Sequence, residues 1–315
     1  SQIYPFNEIQ KAIVSSNNLD SIFVSGGVYF ENLTWQNKAI SIIGLSNEVI
    51  TINGSGRNSV MSFGESQINE SYFIPDTNRI ENIILTNGSS EISAGGIFIG
   101  NGNFILKNCT ILNSEEGTGL QATGSKVKIQ NCIVNNNYSP TSGGGIYFSG
   151  TTAFIANSTI KNNTSLISGG GIKVNSSFVD IFESKIENNS VSNSLGFGGG
   201  ISISSDSYVT ILRTIMDNNS SVNDASAMHL DNNSTVSIIN SNVVNNLSSS
   251  SSIQLNGDCS LNIVNSIVWG NTSNTSINDS QSNLSISYSN IFGGQQSIDN
   301  PFSGAFNWGV GNISQ

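Results

Sequence analysis

Three side chains that could do chemistry, Lys161, Glu187 and Asp217, recur at one position of a repeated phrase, and the single histidine, His229, lies two residues before Asp231. If the phrase stacks on itself, Glu187 and Asp217 stand one layer apart, about 4.8 Å at the backbone. That is close to the roughly 5 Å carboxyl separation of retaining glycosidases. The same two carboxylates could hold Ca2+, a hard cation that takes oxygen ligands. The competing reading is a solvated face on which Lys161 pairs with Glu187 and Asp217 begins a turn, which contributes little to stability. A second candidate pair, Glu183 with Arg213, falls in a neighbouring column. For His229, Asp231 could orient the ring as a base, yet no nucleophile column stands beside it; its stacked neighbours would be Ser202 and Gln254. The bland reading is a solvated surface histidine.

All these candidates depend on a repeat. Asn87, Asn113, Asn136, Asn162, Asn188, Asn218 and Asn245 follow one another at intervals of 26, 23, 26, 26, 30 and 27 residues. A second asparagine column runs one place later through Asn137, Asn163, Asn189, Asn219, Asn246 and Asn271. An apolar residue after the glycines keeps nearly the same step: Ile97, Leu120, Ile146, Ile172, Ile201, Met228 and Ile253. Three columns in phase indicate one structural unit copied along the chain.

Each unit reads as three short strands. In the unit from Thr151, Phe154 and Ile155 begin one strand, a corner falls at Asn157, and Ser158 and Ile160 alternate inward on the next. The Asn162-Asn163 turn, a polar loop and Gly169 to Gly171 precede Ile172 and Val174 on the third. Val179/Ile181, Val209/Ile211, Val236/Ile238, Leu261/Ile263 and Leu284/Ile286 mark one inward pair in other units. Alternation with period two, broken by Gly, Asn and Ser, is a strand signal. Helical spacing is absent from Asn17 onward, so no helix returns the chain across a sheet. Such a unit makes one turn of a coil, each strand pairing in parallel with its equivalent one turn along. The expected class is all-β, a parallel β-helix with three strands per turn of about 26 residues and a length of roughly 50 Å. Stacked asparagines can form a ladder of side-chain amides, expected at Asn113, Asn136, Asn162, Asn188, Asn218 and Asn245. The glycines supply positive φ and close approach between layers.

With these columns in view, the chain resembles right-handed parallel β-helix proteins of the pectate-lyase-like superfamily. "FNEIQKAIVSSNNLDSIFVSGGVYFENL", Phe6 to Leu33, looks like the cap and first turn of secreted bacterial β-helix proteins, with an amphipathic helix through Ile9, Ala12 and Ile13. The alternation of Asn-Asn with Gly-Gly-Gly-Ile is similar to the repeats of polymorphic outer-membrane adhesins. The resemblance implies an extracellular or cell-surface location in a bacterium. It is specific for fold and leaves function open, since the fold hosts lyases, hydrolases, esterases and binding proteins. It divides the chain into a cap over residues 1–24, a coil over 25–294 and a tail or cap over 295–315, where Phe302, Phe306 and Trp308 lack the period. Ser1 is expected to begin a mature or trimmed chain, and Gln315 to end a fragment of a longer one. Pectate lyases, as a family, use a basic side chain beside Ca2+ held by clustered acids, and that cluster has no match here.

Composition narrows the partners. Only 10% of the 315 residues are charged, against about 25% in typical domains. A formal charge of -10 with no Lys/Arg cluster argues against nucleic acid. No apolar run approaches the roughly 20 residues of a membrane span. Cofactor motifs and zinc spacings are absent, and Ca2+ is the one candidate ion. Cys109 and Cys132 share an inward column that later carries Ser158, Ser184, Thr214 and Ser241, so a disulfide or two buried thiols both fit. Cys259 is expected in a loop without a partner. The Asn-x-Ser/Thr triplets at Asn32, Asn157, Asn188 and Asn283 follow from composition alone.

On the third strand the outward column reads Phe98, Gln121, Tyr147, Lys173, Ser202, His229 and Gln254. Aromatic, amide and cationic groups at about 4.8 Å steps suit a shallow strip for an extended glycan. Two function classes follow. One is a non-enzymatic surface or secreted scaffold for adhesion, glycan binding or assembly, with self-association through flat sides or open ends. The other is a polysaccharide lyase or glycoside hydrolase working through Glu187, Asp217 and Lys161 or His229.

Overall fold

The computed structural model describes residues 5–45, 47–64, 77–91, 93–271, 275–299 and 304–314. Among them, three parallel sheets of 12, 12 and 11 strands run the length of the chain, each strand paired with its equivalents one turn before and one turn after. The chain is a parallel β-helix. The unit read from Thr151 recurs as drawn: Thr152–Ala156 lies on the first face, Thr159–Lys161 on the second and Ile172–Asn175 on the third. Ile155, Ile160, Ile172 and Val174 point into one continuous core that extends from Ile9 to Ile291. A fourth, short ladder joins the loops at Tyr138–Ser139, Thr164–Ser165, Ser190–Val191 and Ser220–Ser221.

From Asn157 onward the corners between the first and second faces use one two-residue device. The first residue turns the chain with positive φ, for example Asn157 at 49°; asparagine tolerates this region better than other side-chain-bearing residues. The second points a small polar group inward. The backbone N–H of that second residue is taken by a side chain rather than by a strand carbonyl, and a buried N–H without an acceptor is costly. The next turn supplies the acceptor: Ser158 N donates to Ser184 Oγ at 3.2 Å, and Thr214 N to Ser241 Oγ at 3.1 Å. The corner between the third and first faces repeats this, with Thr151 N donating to Ser177 Oγ at 3.0 Å.

Between the second and third faces a longer side chain is needed, and the buried amide ladder forms here. Asn137 Nδ2 donates to Asn163 Oδ1 at 2.9 Å, and the bonds continue through Asn189, Asn219 and Asn246 to Asn271 at 3.0 to 3.1 Å. The ladder thus runs one place after the expected column. Asn113, Asn136, Asn162, Asn188, Asn218 and Asn245 are the left-handed residues of the same corners, at φ 53° to 55°. That backbone turns their own side chains outward. They make separate surface bonds, such as Asn136 Nδ2 to Asn113 Oδ1 at 2.7 Å.

The glycines divide their labour in the same way. Gly169 turns the chain at φ 63°, while a Cβ on Gly171 would sit 2.6 Å from the carbonyl oxygen of Gly200 in the next turn. Cys109 and Cys132 are free and buried. Cys109 N donates to Cys132 Sγ at 3.4 Å and Cys132 N to Ser158 Oγ at 3.1 Å, so the sulfur stands where later turns have a hydroxyl. Cys259 lies in a corner rather than an open loop: it is buried, and its N–H donates to Ser282 Oγ at 3.2 Å.

At the N-terminal end the helix Ile9–Ser15 buries Ile9 and Ile13 against the first turn. Glu31 accepts the otherwise unpaired N–H groups of Ile9 at 2.9 Å and Gln10 at 2.8 Å. Gln10 in turn donates to Thr34 O at 2.9 Å and accepts from Thr34 N at 2.8 Å, so one side-chain amide imitates a neighbouring strand on the edge Leu33–Trp35. At the other end the ladders continue past residue 294. Phe306 and Trp308 pair with Leu284 and Ile286, and Ile298 pairs with Ile277. The segment expected as a tail or cap carries further strands, with aromatic residues in positions that earlier turns give to Leu and Ile. Phe302 lies outside the described residues. No helix among the described residues is long and apolar enough to cross a membrane.

Candidate functional site

The third face brings the expected strip together in register. Phe98 pairs with Gln121, Gln121 with Tyr147, Tyr147 with Lys173, Lys173 with Ser202, Ser202 with His229 and His229 with Gln254. Outward does not mean exposed, however. Phe98, Ser202 and His229 are only 6%, 1% and 7% accessible, while Gln121, Tyr147, Lys173 and Gln254 are half-buried. The cause is the chain entering each strand, which doubles back over the strip. Gly143 presses on Tyr147 and Gly198 on Ser202, where added Cβ atoms would meet the side chains at 2.8 and 2.9 Å. Phe197 lies flat on His229, centroids 4.8 Å apart and planes at 19°.

Two polar pairs lie in this column. Lys173 Nζ lies 3.1 Å from Ser202 Oγ, and Asn256 Nδ2 lies 3.0 Å from His229 Nε2. An amide nitrogen can only donate, so His229 accepts at Nε2 and carries its proton on Nδ1. Burial strips water from both bases. It lowers Lys173 to about 8, an effect that the Asp231 carboxylate partly offsets. His229 falls to about 4, through burial first and the Lys173 charge second. At neutral pH the site therefore holds a neutral imidazole beside a lysine that can lose its proton with modest cost.

The base-and-orienter pairing of His229 with Asp231 does not form. Asp231 Oδ1 and Oδ2 accept instead from the backbone N–H and side-chain amide of Asn232, at 2.9 and 3.0 Å. Nor is His229 a solvated surface residue, since Phe197 covers it. Sequence patterning missed Phe197 and Asn256. The signal for Phe197 was the Gly-Phe-Gly-Gly-Gly run, where other turns place Ser142, Ser168 and Asp224.

The acidic column is also in register on the second face: Lys161 pairs with Glu187, and Glu187 with Asp217. Both carboxylates are half-buried, and Asp217 Oδ1 accepts from Asn245 Nδ2 at 3.0 Å. Lys161 and Glu187 make no ion pair, whereas Glu183 and Arg213 do, at 3.2 Å. Two carboxylates and an ammonium fall short of the about six to eight oxygens that Ca2+ takes, and among the described residues no three His, Cys, Asp or Glu side chains converge as a metal site would require.

No family model and no curated protein matches the sequence. Among solved structures the chain is similar to the catalytic unit of a thermostable GH87 alpha-1,3-glucanase from Streptomyces thermodiastaticus strain HF3-3. That match has 10% identity and a TM-score of 0.39, over 98% of this chain and 66% of the other. The chain is also similar to PfbA, a surface adhesin of Streptococcus pneumoniae, at 11% identity and a TM-score of 0.40, over 94% of this chain and 85% of that one.

Proposed function

We propose that this chain is a secreted or cell-surface display rod that holds an extended, hydroxyl-rich glycan along its third face without turning it over. The observation that carries this reading is the row Gln121, Tyr147, Lys173 and Gln254, four half-buried polar groups in one register column that keep part of their surface open. Neighbours in the same face hold two of the four: Ser202 lies 3.1 Å from Lys173 Nζ, and Asn256, which bonds His229, accepts from Gln254 Nε2 at 3.4 Å. Side chains held this way lose little freedom when a ligand binds, and preorganisation of that kind favours affinity. The test is affinity electrophoresis against neutral and acidic polysaccharides, with and without Ca2+, read together with reducing-end and unsaturated-product assays. Retardation without products, weakened about tenfold by Tyr147→Ala, supports the rod. Glu187 and Asp217 favour the second reading, a glycoside hydrolase or lyase. Products abolished by Glu187→Gln or Asp217→Asn replace the rod with that enzyme.

A further inference from the structure

The buried asparagine ladder does not reach the N-terminal turns. Its first rung, Asn137, accepts the Ser114 N–H at 3.0 Å, and the turn before carries Gly88, where a Cβ would run into the carbonyl oxygen of Gly95. On the outer side of these turns lies a cavity of about 360 Å³. Phe30, Asn53, Asn87 and Asn113 line it from four successive turns, at the ends of the second-face strands Gly27–Tyr29, Ile50–Asn53, Ile84–Thr86 and Thr110–Leu112. Ser55, Gly56 and Glu115 extend the wall. Ser55 and Gly56 hold consecutive left-handed backbone, at φ 59° and 65°. A Cβ on Gly56 would meet no atom within 4 Å, so the cavity is open on that side.

The lining selects one kind of ligand. Three amides have their oxygens engaged: Asn53 Oδ1 accepts from Ser55 N at 2.8 Å, Asn87 Oδ1 from Thr86 Oγ1 at 3.2 Å and Asn113 Oδ1 from Asn136 Nδ2 at 2.7 Å. Their Nδ2 groups, which can only donate, have no acceptor among the described residues. Glu115 brings the one charge of the lining, a carboxylate without an ion pair among the described residues. Phe30 brings an apolar ring that is 71% exposed. An anion would meet Glu115 as a like charge. A cation would face the positive ends of three amide groups for one carboxylate, and Ca2+ takes about six to eight oxygens. An apolar ligand would strip water from the amides and give them no partner. A hydroxyl both donates and accepts, so a neutral polyol ring satisfies the amides and the carboxylate together while its C–H face packs on the aromatic ring. We propose that this cavity binds a neutral sugar, as a single unit or as the end of a short chain. Its volume falls within the range of small-molecule sites, about 300 to 1,000 Å³. The cavity shares no residue with the third-face row, and its reading does not rest on that row.

Saturation-transfer NMR with glucose, galactose, mannose, N-acetylglucosamine and lactose, followed by calorimetric titration of the sugar that gives the strongest signal, tests the cavity. At least one neutral sugar is expected to bind, and glucuronate and glucosamine to bind more weakly. Phe30→Ala and Glu115→Gln should each lower the affinity about fivefold. Both residues are exposed, so neither change should move the thermal melt. If one does, Gly56→Asn takes its place, since asparagine accepts left-handed backbone and its side chain enters the open space. Silence from all of these sugars overturns the proposal, as does binding that survives Phe30→Ala, Glu115→Gln and Gly56→Asn together. A signal that Tyr147→Ala removes and Phe30→Ala spares belongs to the third-face row and overturns the cavity while the row stands. Tighter binding of glucuronate or glucosamine assigns the cavity to a charged ligand and equally overturns it. Phe30→Ala should leave the retardation of polysaccharides by the row unchanged, so the two readings fail separately.

Discussion

Asn163 Nδ2 donates to Asn189 Oδ1 at 3.0 Å, and the same oxygen accepts the backbone N–H of Asn163, also at 3.0 Å. One buried acceptor thereby closes two donors of the turn before it. Asn189 Nδ2 also donates to Ile160 O at 2.9 Å, so a single side chain ties three consecutive turns together.

Removing that side chain leaves several buried partners without water or a substitute. Asn189→Ala is expected to cost at least about 3 kcal/mol, since each orphaned buried group costs about 1 to 3 kcal/mol. Its neighbour Asn188 is exposed, and its task is the left-handed turn at φ 55°. Asn188→Gly should therefore be nearly neutral and Asn188→Ala cost about 1 kcal/mol. Equilibrium denaturation of the three variants checks the order; equal losses at both positions would refute the division of roles.

His229 is the only histidine, so one NMR titration reads it without ambiguity. The ring is expected to titrate near pH 4, below its ordinary 6.5. Between these two values the unfolded chain binds the proton and the folded one does not. Stability contributed by the neutral ring is therefore present above pH 6.5 and lost as pH falls toward 4. Lys173→Met removes the cation that is the second cause of the shift, and the midpoint should rise. A midpoint near 6.5 in the wild type would mean that Phe197 does not cover the ring.

Cys132 tests whether a thiol can stand in a hydroxyl column. Cys132→Ser keeps an acceptor for the Cys109 N–H and should change stability by less than about 1 kcal/mol, whereas Cys132→Ala leaves that N–H unpaired and should cost about 1 to 3 kcal/mol. Denaturation midpoints of the two variants, compared under reducing conditions, decide the matter.

Much of this architecture was legible in the sequence. Alternation placed Val179, Ile181, Val209 and Ile211 inward, and the phase of the glycines placed Phe98 through Gln254 in one column. These follow because strand side chains alternate strictly and equivalent residues must stack. What period alone does not encode is which loop folds over a face. His229 and Ser202 occupy outward positions, yet Phe197 and Gly198 cover them, and nothing in their own strands signals it. Adjacent asparagines pose a similar problem. Asn162 and Asn163 have the same side chain, and only the backbone decides which one turns and which one bonds. The Phe306 and Trp308 strand was hidden because aromatic residues broke a period that Leu and Ile had established.

The corners also give the coil a direction in time. Ser158, Ser184 and Thr214 each leave an N–H that is closed only by a side chain of the turn that follows. A nascent chain leaving the ribosome would therefore always present one raw lip, sealed when the next 23 to 30 residues emerge. With Gln10 and Glu31 finishing the opposite end first, growth runs one way, like courses of brick laid on a levelled footing.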